Sequence, residues 1–180
     1  MKSILVVVAS VFASLPAFSQ NNRQPEALGL PGDNLNLYAV LYVFQKSKTL
    51  EDFEQTINDP KSNINNLDLN NDKNIDYLKV VSSELSNTHT IILQDVINSK
   101  ETQDVAVIEV SKESSGKIYV QIIGDVDLYG KDYIVEPSDV ANGTPNPGYS
   151  GGDVVTYENN YRPVRDWVIV SFLFSPIYVV

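Results

Sequence analysis

Oxygen-bearing side chains recur at short intervals in Asp68-Leu69-Asn70-Asn71-Asp72-Lys73-Asn74-Ile75-Asp76, with Asp, Asn, Asp and Asp at loop positions 1, 3, 5 and 9. A hard dication such as Ca²⁺ takes about six to eight oxygen ligands, and a tight turn of alternating Asp and Asn supplies several of them from one segment. Three carboxylates in register within so few residues repel one another unless a cation stands among them. Mg²⁺ fits less well, because it demands stricter octahedral geometry and keeps its waters. The competing reading is a solvated, metal-free turn, since residues 58–74 are rich in Asn that favours turns unaided. Three formal negative charges with Lys73 among them predict weak binding, with a dissociation constant of about 10⁻⁴–10⁻³ M.

Other residues offer less chemistry. His89 is the only histidine; within Ser86-Asn87-Thr88-His89-Thr90 it is expected in a hairpin connection, as a surface residue without the orienting partner a base needs. Asp125 and Asp127, followed by Tyr129-Gly130-Lys131-Asp132, could pair carboxylates for acid/base work on a sugar, or form an exposed turn. Tyr77, Tyr119, Tyr129 and Tyr133 would make an aromatic strip if they shared a face. No Gly-x-Ser-x-Gly elbow, P-loop or His-Glu-x-x-His occurs. The chain therefore reads as non-enzymatic, binding a protein or glycan partner in the cell envelope. The alternatives are a carboxylate-dependent hydrolase built on Asp125 and Asp127 and a periplasmic inhibitor or chaperone-like module.

Composition narrows the setting. The formal net charge is −10, which disfavours nucleic acid and anionic lipid as partners. The chain has no cysteine, so disulfides, thiolate catalysis, Cys-based zinc sites and a Cys-linked lipid anchor are excluded. Met1-Lys2-Ser3, an apolar stretch over 4–15 and small residues at Ala17 and Ser19 make 1–19 a signal peptide cleaved near Ser19-Gln20, too short to span a membrane. A secreted or periplasmic location follows. The remaining length is enough for one domain with its own core.

The loop needs elements to hold it. A polar leader is expected at 20–32, then an α+β domain at 33–136. Asp33 is a candidate N-cap for a mostly buried helix to about Ser47, and Thr49-Leu50-Glu51-Asp52 resembles a capping box opening a second helix with Leu50, Phe53 and Ile57 on one face. Asp59-Pro60 stops it. Strand periodicity follows at 77–82, 90–96, 105–110 and 118–123, with Ser114-Ser115-Gly116 as a hairpin turn. Short connections predict an antiparallel meander of about four strands with the two helices on one face. Residues 137–153 read as a flexible linker, and 154–180 as an apolar C-terminal segment. There a helix starting near Pro163 and a core strand are equally compatible with the pattern. The apolar ending Ile177-Tyr178-Val179-Val180 predicts either a frame cut short or a final strand.

The segment Asp68-x-Asn70-x-Asp72-x-x-x-Asp76, running at once into Tyr77-Leu78-Lys79-Val80-Val81, resembles the calcium loops of integrin-type FG-GAP repeats and is similar to EF-hand and dockerin loops. The resemblance covers residues 68–81 alone. It implies Asp68, Asn70, Asp72 and Asp76 as side-chain ligands of Ca²⁺, with Asn74 offering its backbone carbonyl. Two positions depart from it: Lys73 stands where these loops favour Gly, and Lys79 where an EF-hand has its bidentate Glu. The single copy does not make a propeller.

Overall fold

A computed structural model describes residues 29–137, 142–143, 157–158 and 163–179. The expected signal peptide, most of the leader, and the expected linker apart from residues 137, 142 and 143 lie outside the described residues.

The first helix, α1 (Leu37–Lys46), starts later than expected. Leu35 is extended and bridges antiparallel to Asn65, so the helix can begin only after it. Its N-cap is Asn36, whose side chain accepts the Tyr38 N–H at 2.9 Å, while Asp33 accepts the Gly29 N–H at 2.7 Å beside a 3-10 turn. The helix α2 (Leu50–Asn58) follows the sequence closely. Thr49 Oγ1 accepts the Asp52 N–H at 3.2 Å, and the Asp52 carboxylate reaches back to the Lys48 N–H at 2.8 Å. Leu50, Phe53 and Ile57 form its buried face, because residues three and four apart share one side of a helix. Phe53 meets Phe44 of α1 edge to face, with ring centroids 5.3 Å apart.

The sheet is an antiparallel meander in the order β1 (Leu78–Leu85), β2 (Thr88–Asn98), β3 (Glu101–Lys112), β4 (Ile118–Gly124) and β5 (Ile134–Val135). The four expected strands are present but longer, and β5 adds a short fifth. The inner face carries Leu78, Ile91, Leu93, Ile108, Val110, Val120 and Ile122, all buried in one cluster with α1 and α2. The architecture is thus α+β, helices covering a meander. A separate two-stranded ladder pairs β6 (Asn142–Gly143) with β7 (Tyr157–Glu158).

Side chains of α2 act as a neighbour for the edge strand β1. Asn58 donates to Leu78 O at 2.7 Å and accepts the Leu78 N–H at 2.9 Å. Glu54 accepts the Val80 N–H at 2.7 Å and the Tyr77 hydroxyl at 2.6 Å. This cover blunts an edge that would otherwise recruit other chains. Asn58→Leu leaves both Leu78 backbone groups without partners and is expected to lower the unfolding free energy by roughly 2–3 kcal/mol, read by urea denaturation.

In the C-terminal segment the choice falls to helix. A 3-10 turn at Val164–Asp166 leads into α4 (Val168–Leu173), where Ile169, Val170 and Leu173 are buried and Trp167 meets Phe44 at 6.4 Å. Of the two readings of the tail, a final strand is not seen among its described residues: Ile177 and Val179 are 78% and 85% exposed. His89 also corrects the sequence reading. Ser86 and Asn87 alone turn the chain between β1 and β2, with Ser86 at φ 58°. His89 therefore lies inside β2, facing inward with Ile91 and Leu93, and is fully buried. Phe174 and Tyr178 lie edge-on to its ring at 4.7 and 5.3 Å. Among the described residues no helix is long and apolar enough to cross a membrane.

Candidate metal centre

The 68–76 loop hangs between two fully buried anchors, Leu67 and Leu78. Its base is closed by the Asp76 N–H donating to Leu67 O at 2.8 Å. Buried Asn65 donates to Asp76 O at 2.7 Å and accepts the Leu67 N–H at 3.1 Å, fixing both ends of the loop.

Within it the acidic and amide oxygens strap the backbone. Asp68 accepts the Asp72 and Lys73 N–H groups at 3.0 and 2.9 Å. Asn70 Oδ1 accepts the Asp72 N–H at 2.8 Å, Asp72 the Asn74 N–H at 2.8 Å, and Asp76 the Leu69 N–H at 2.6 Å. Every carboxylate oxygen has further lone pairs beyond the one used here. Asn74 is exposed and enters the strapping through its N–H. Asn71 and Lys73 sit in the left-handed region at φ 60° and 71°. Lys73 thus makes the bend that the resembling loops assign to Gly, at a strain of about 1 kcal/mol. Lys73→Gly should raise stability by up to about 1 kcal/mol in chemical denaturation; a loss would show that the Lys73 side chain stabilises the loop.

Asn70, Asp72 and Asp76 converge with the end of β2. The Asn70 Nδ2 atom lies 3.3 Å from each of Asp72 Oδ2, Asp76 Oδ1 and the Ile97 carbonyl. An amide nitrogen has two hydrogens, so three acceptor oxygens surround a point one neutral donor group cannot fully satisfy.

Sequence reasoning missed the group beneath. Asp95 is fully buried on β2, cross-strand from Leu78 and Gln103. Neither of its oxygens has a hydrogen-bond partner among the described residues. Burial chiefly, then the charge of Asp76, a carboxyl–carboxyl contact with Asp76, and the charge of Asp68 push its carboxyl up from 3.8 to about 7. The contact with Asp76 is a hydrogen bond only while one of the two carries a proton; when both are ionised it joins two acceptors. The signal was present in the sequence: alternation along β2 puts Asp95 on the same face as Ile91 and Leu93, a charge on an apolar stripe.

Among the described residues no three His, Cys, Asp or Glu side chains already enclose a metal-sized point. The loop carboxylates are turned to backbone N–H groups, and Asp76 and Asp95 repel when ionised. A buried carboxylate without a donor among the described residues, under an oxygen-rich turn, nonetheless suits a hard cation, and no basic side chain of the described residues takes part in the hydrogen bonding around it.

The remaining candidates are not drawn together. Asp125 caps the short helix α3 (Val126–Tyr129) by accepting the Asp127 N–H at 2.9 Å. Tyr129 is buried, donating its hydroxyl to Leu35 O at 2.8 Å, and leans on Tyr133 at 5.1 Å. Tyr119 is exposed beside Lys117, and Tyr77 is tied to Glu54, so the four tyrosines form no single strip. No family model, no curated protein and no solved structure matches this chain, which leaves the geometry of this centre to speak for its chemistry.

Proposed function

We propose that this chain is an exported, non-enzymatic domain in which Ca²⁺ held by the 68–76 loop staples that loop to the sheet. Side-chain oxygens of Asp68, Asn70, Asp72 and Asp76, with the Asn74 carbonyl, would hold the ion. Calcium supplies there the positive charge that the acidic centre lacks. The observation that carries the reading is Asp95: a fully buried carboxylate beside Asp76, without a hydrogen-bond donor among the described residues. A buried ionised group without a partner is too costly to persist without a counter-charge or a proton. The basic start and apolar stretch of residues 1–19 support export, into a setting where a weak site fills at millimolar calcium.

The test is a pair of thermal melts with isothermal calorimetry, in chelator and in Ca²⁺. At a concentration tenfold above the dissociation constant, linkage gives about 1.4 kcal/mol, a rise of a few degrees for a domain of this size. Mg²⁺ should give a smaller rise. Superimposable melts together with no binding heat would remove calcium from the account.

A further inference from the structure

Building on the calcium reading, we propose that β2 itself ligates the ion, through the Asp95 carboxylate and the Ile97 carbonyl, so that the metal bridges the loop to the irregular end of this strand. The register between β2 and β3 slips twice here: Leu93 pairs with Ala106 but Gln94 with Asp104, and Asp95 pairs with Gln103 while Asn98 pairs with Glu101. The second slip leaves an extra residue on β2 between Asp95 and Asn98. Such bulges re-aim side chains and free backbone groups from the ladder. Val96 still donates to Tyr77 O at 3.1 Å on the β1 side, which keeps this stretch of β2 against the loop's closing end. The Ile97 carbonyl faces the Asn70 amide together with Asp72 and Asp76 oxygens. Asp95 lies below, fully buried and without a donor among the described residues.

Five oxygens from the loop and two from β2 make a set of about seven, which suits the large, flexible shell of Ca²⁺ and exceeds the octahedron of Mg²⁺. The occupant is thus a large hard dication, and the strand ligand sets that preference. Asp95 would act on the ion directly, not as a remote charge.

Terbium(III), a calcium surrogate with a similar oxygen preference, separates these roles, because its emission decay in H₂O and D₂O counts coordinated waters. The full chain and its Asp95→Ala variant, which unlike asparagine leaves no side-chain oxygen to ligate, both checked for fold by circular dichroism, would be titrated with Tb³⁺. The expected result is an affinity loss of at least tenfold in the variant and about one additional coordinated water. Asp104→Asn, at an exposed carboxylate of β3, should leave both values unchanged. A variant that binds Tb³⁺ more weakly with the parent's water count would make Asp95 a remote charge and overturn the proposal, as would unchanged affinity. Failure of the parent chain to bind either Tb³⁺ or Ca²⁺ would instead defeat the calcium reading beneath it.

Discussion

In chelator at pH 8, Asp95→Asn should unfold at higher temperature than the parent chain, although it removes a wholly buried native residue. The folded state holds the Asp95 proton up to about pH 7, against an ordinary value of 3.8. A carboxyl raised in this way binds its proton more tightly folded than unfolded. Its contribution to stability is therefore best below 3.8 and is lost as pH climbs from there through about 7. By pH 8 the group is ionised and the full penalty is present, on the order of a few kcal/mol. Asparagine is isosteric, carries no charge and can donate to Asp76. The variant's advantage should accordingly be large at pH 8 and shrink toward pH 4. Saturating Ca²⁺ should stabilise the parent and leave the variant nearly unmoved. A variant less stable than the parent in chelator at pH 8 would show that Asp95 has a favourable partner when ionised.

His89→Leu is the second large effect, at the opposite end of the same inward row. Both ring nitrogens are buried without hydrogen-bond partners among the described residues. Burial lowers the imidazole below its ordinary 6.5, with Glu84 across the strand pulling partly the other way. Lys112, whose ammonium lies 5.3 Å from the Phe174 ring centroid, is the nearby cation on β3. The folded state thus takes up the His89 proton less readily than the unfolded chain. Stability from this group is whole above about 6.5 and falls as pH drops through 6.5 toward the lowered folded value. Leucine removes two unsatisfied polar atoms, and a gain of about 2 kcal/mol is expected at pH 8, growing at pH 5 as the parent becomes acid-labile. Guanidinium denaturation at the two pH values reads both numbers. A variant destabilised at both would mean that the nitrogens have partners, such as ordered water. Because Asp95 and His89 impose opposite pH trends just below about 6.5, each substitution should unmask the trend of the other.

Much of the frame was readable from residue patterns because its causes are local. Thr49 and Asp52 cap α2 through hydrogen bonds spanning three or four residues, and Leu50, Phe53 and Ile57 share a face whatever lies opposite. Alternation in Ile118-Tyr119-Val120-Gln121-Ile122 puts Ile118, Val120 and Ile122 on one face for the same reason, and that face meets the core. Where pairing partners lie far along the chain, the local reading failed. The α1 cap moved from Asp33 to Asn36 because Leu35 bridges to Asn65, and the C-terminal helix docks through partners far along the chain, with Trp167 at its start edge-on to Phe44.

The centre divides along the same line. Spacing alone determined that the oxygens of Asp68, Asn70, Asp72 and Asp76 crowd onto one loop, since a turn of nine residues brings its own side chains together. Only the tertiary structure decided that Asp95 and the Ile97 carbonyl belong beside them. Their proximity depends on β1 pairing with β2 and on an extra residue in β2, and no interval along the chain encodes which strand end comes to rest under a loop. Likewise His89 was a loop residue by neighbourhood and a core residue by pairing, because burial is a property of what covers a strand.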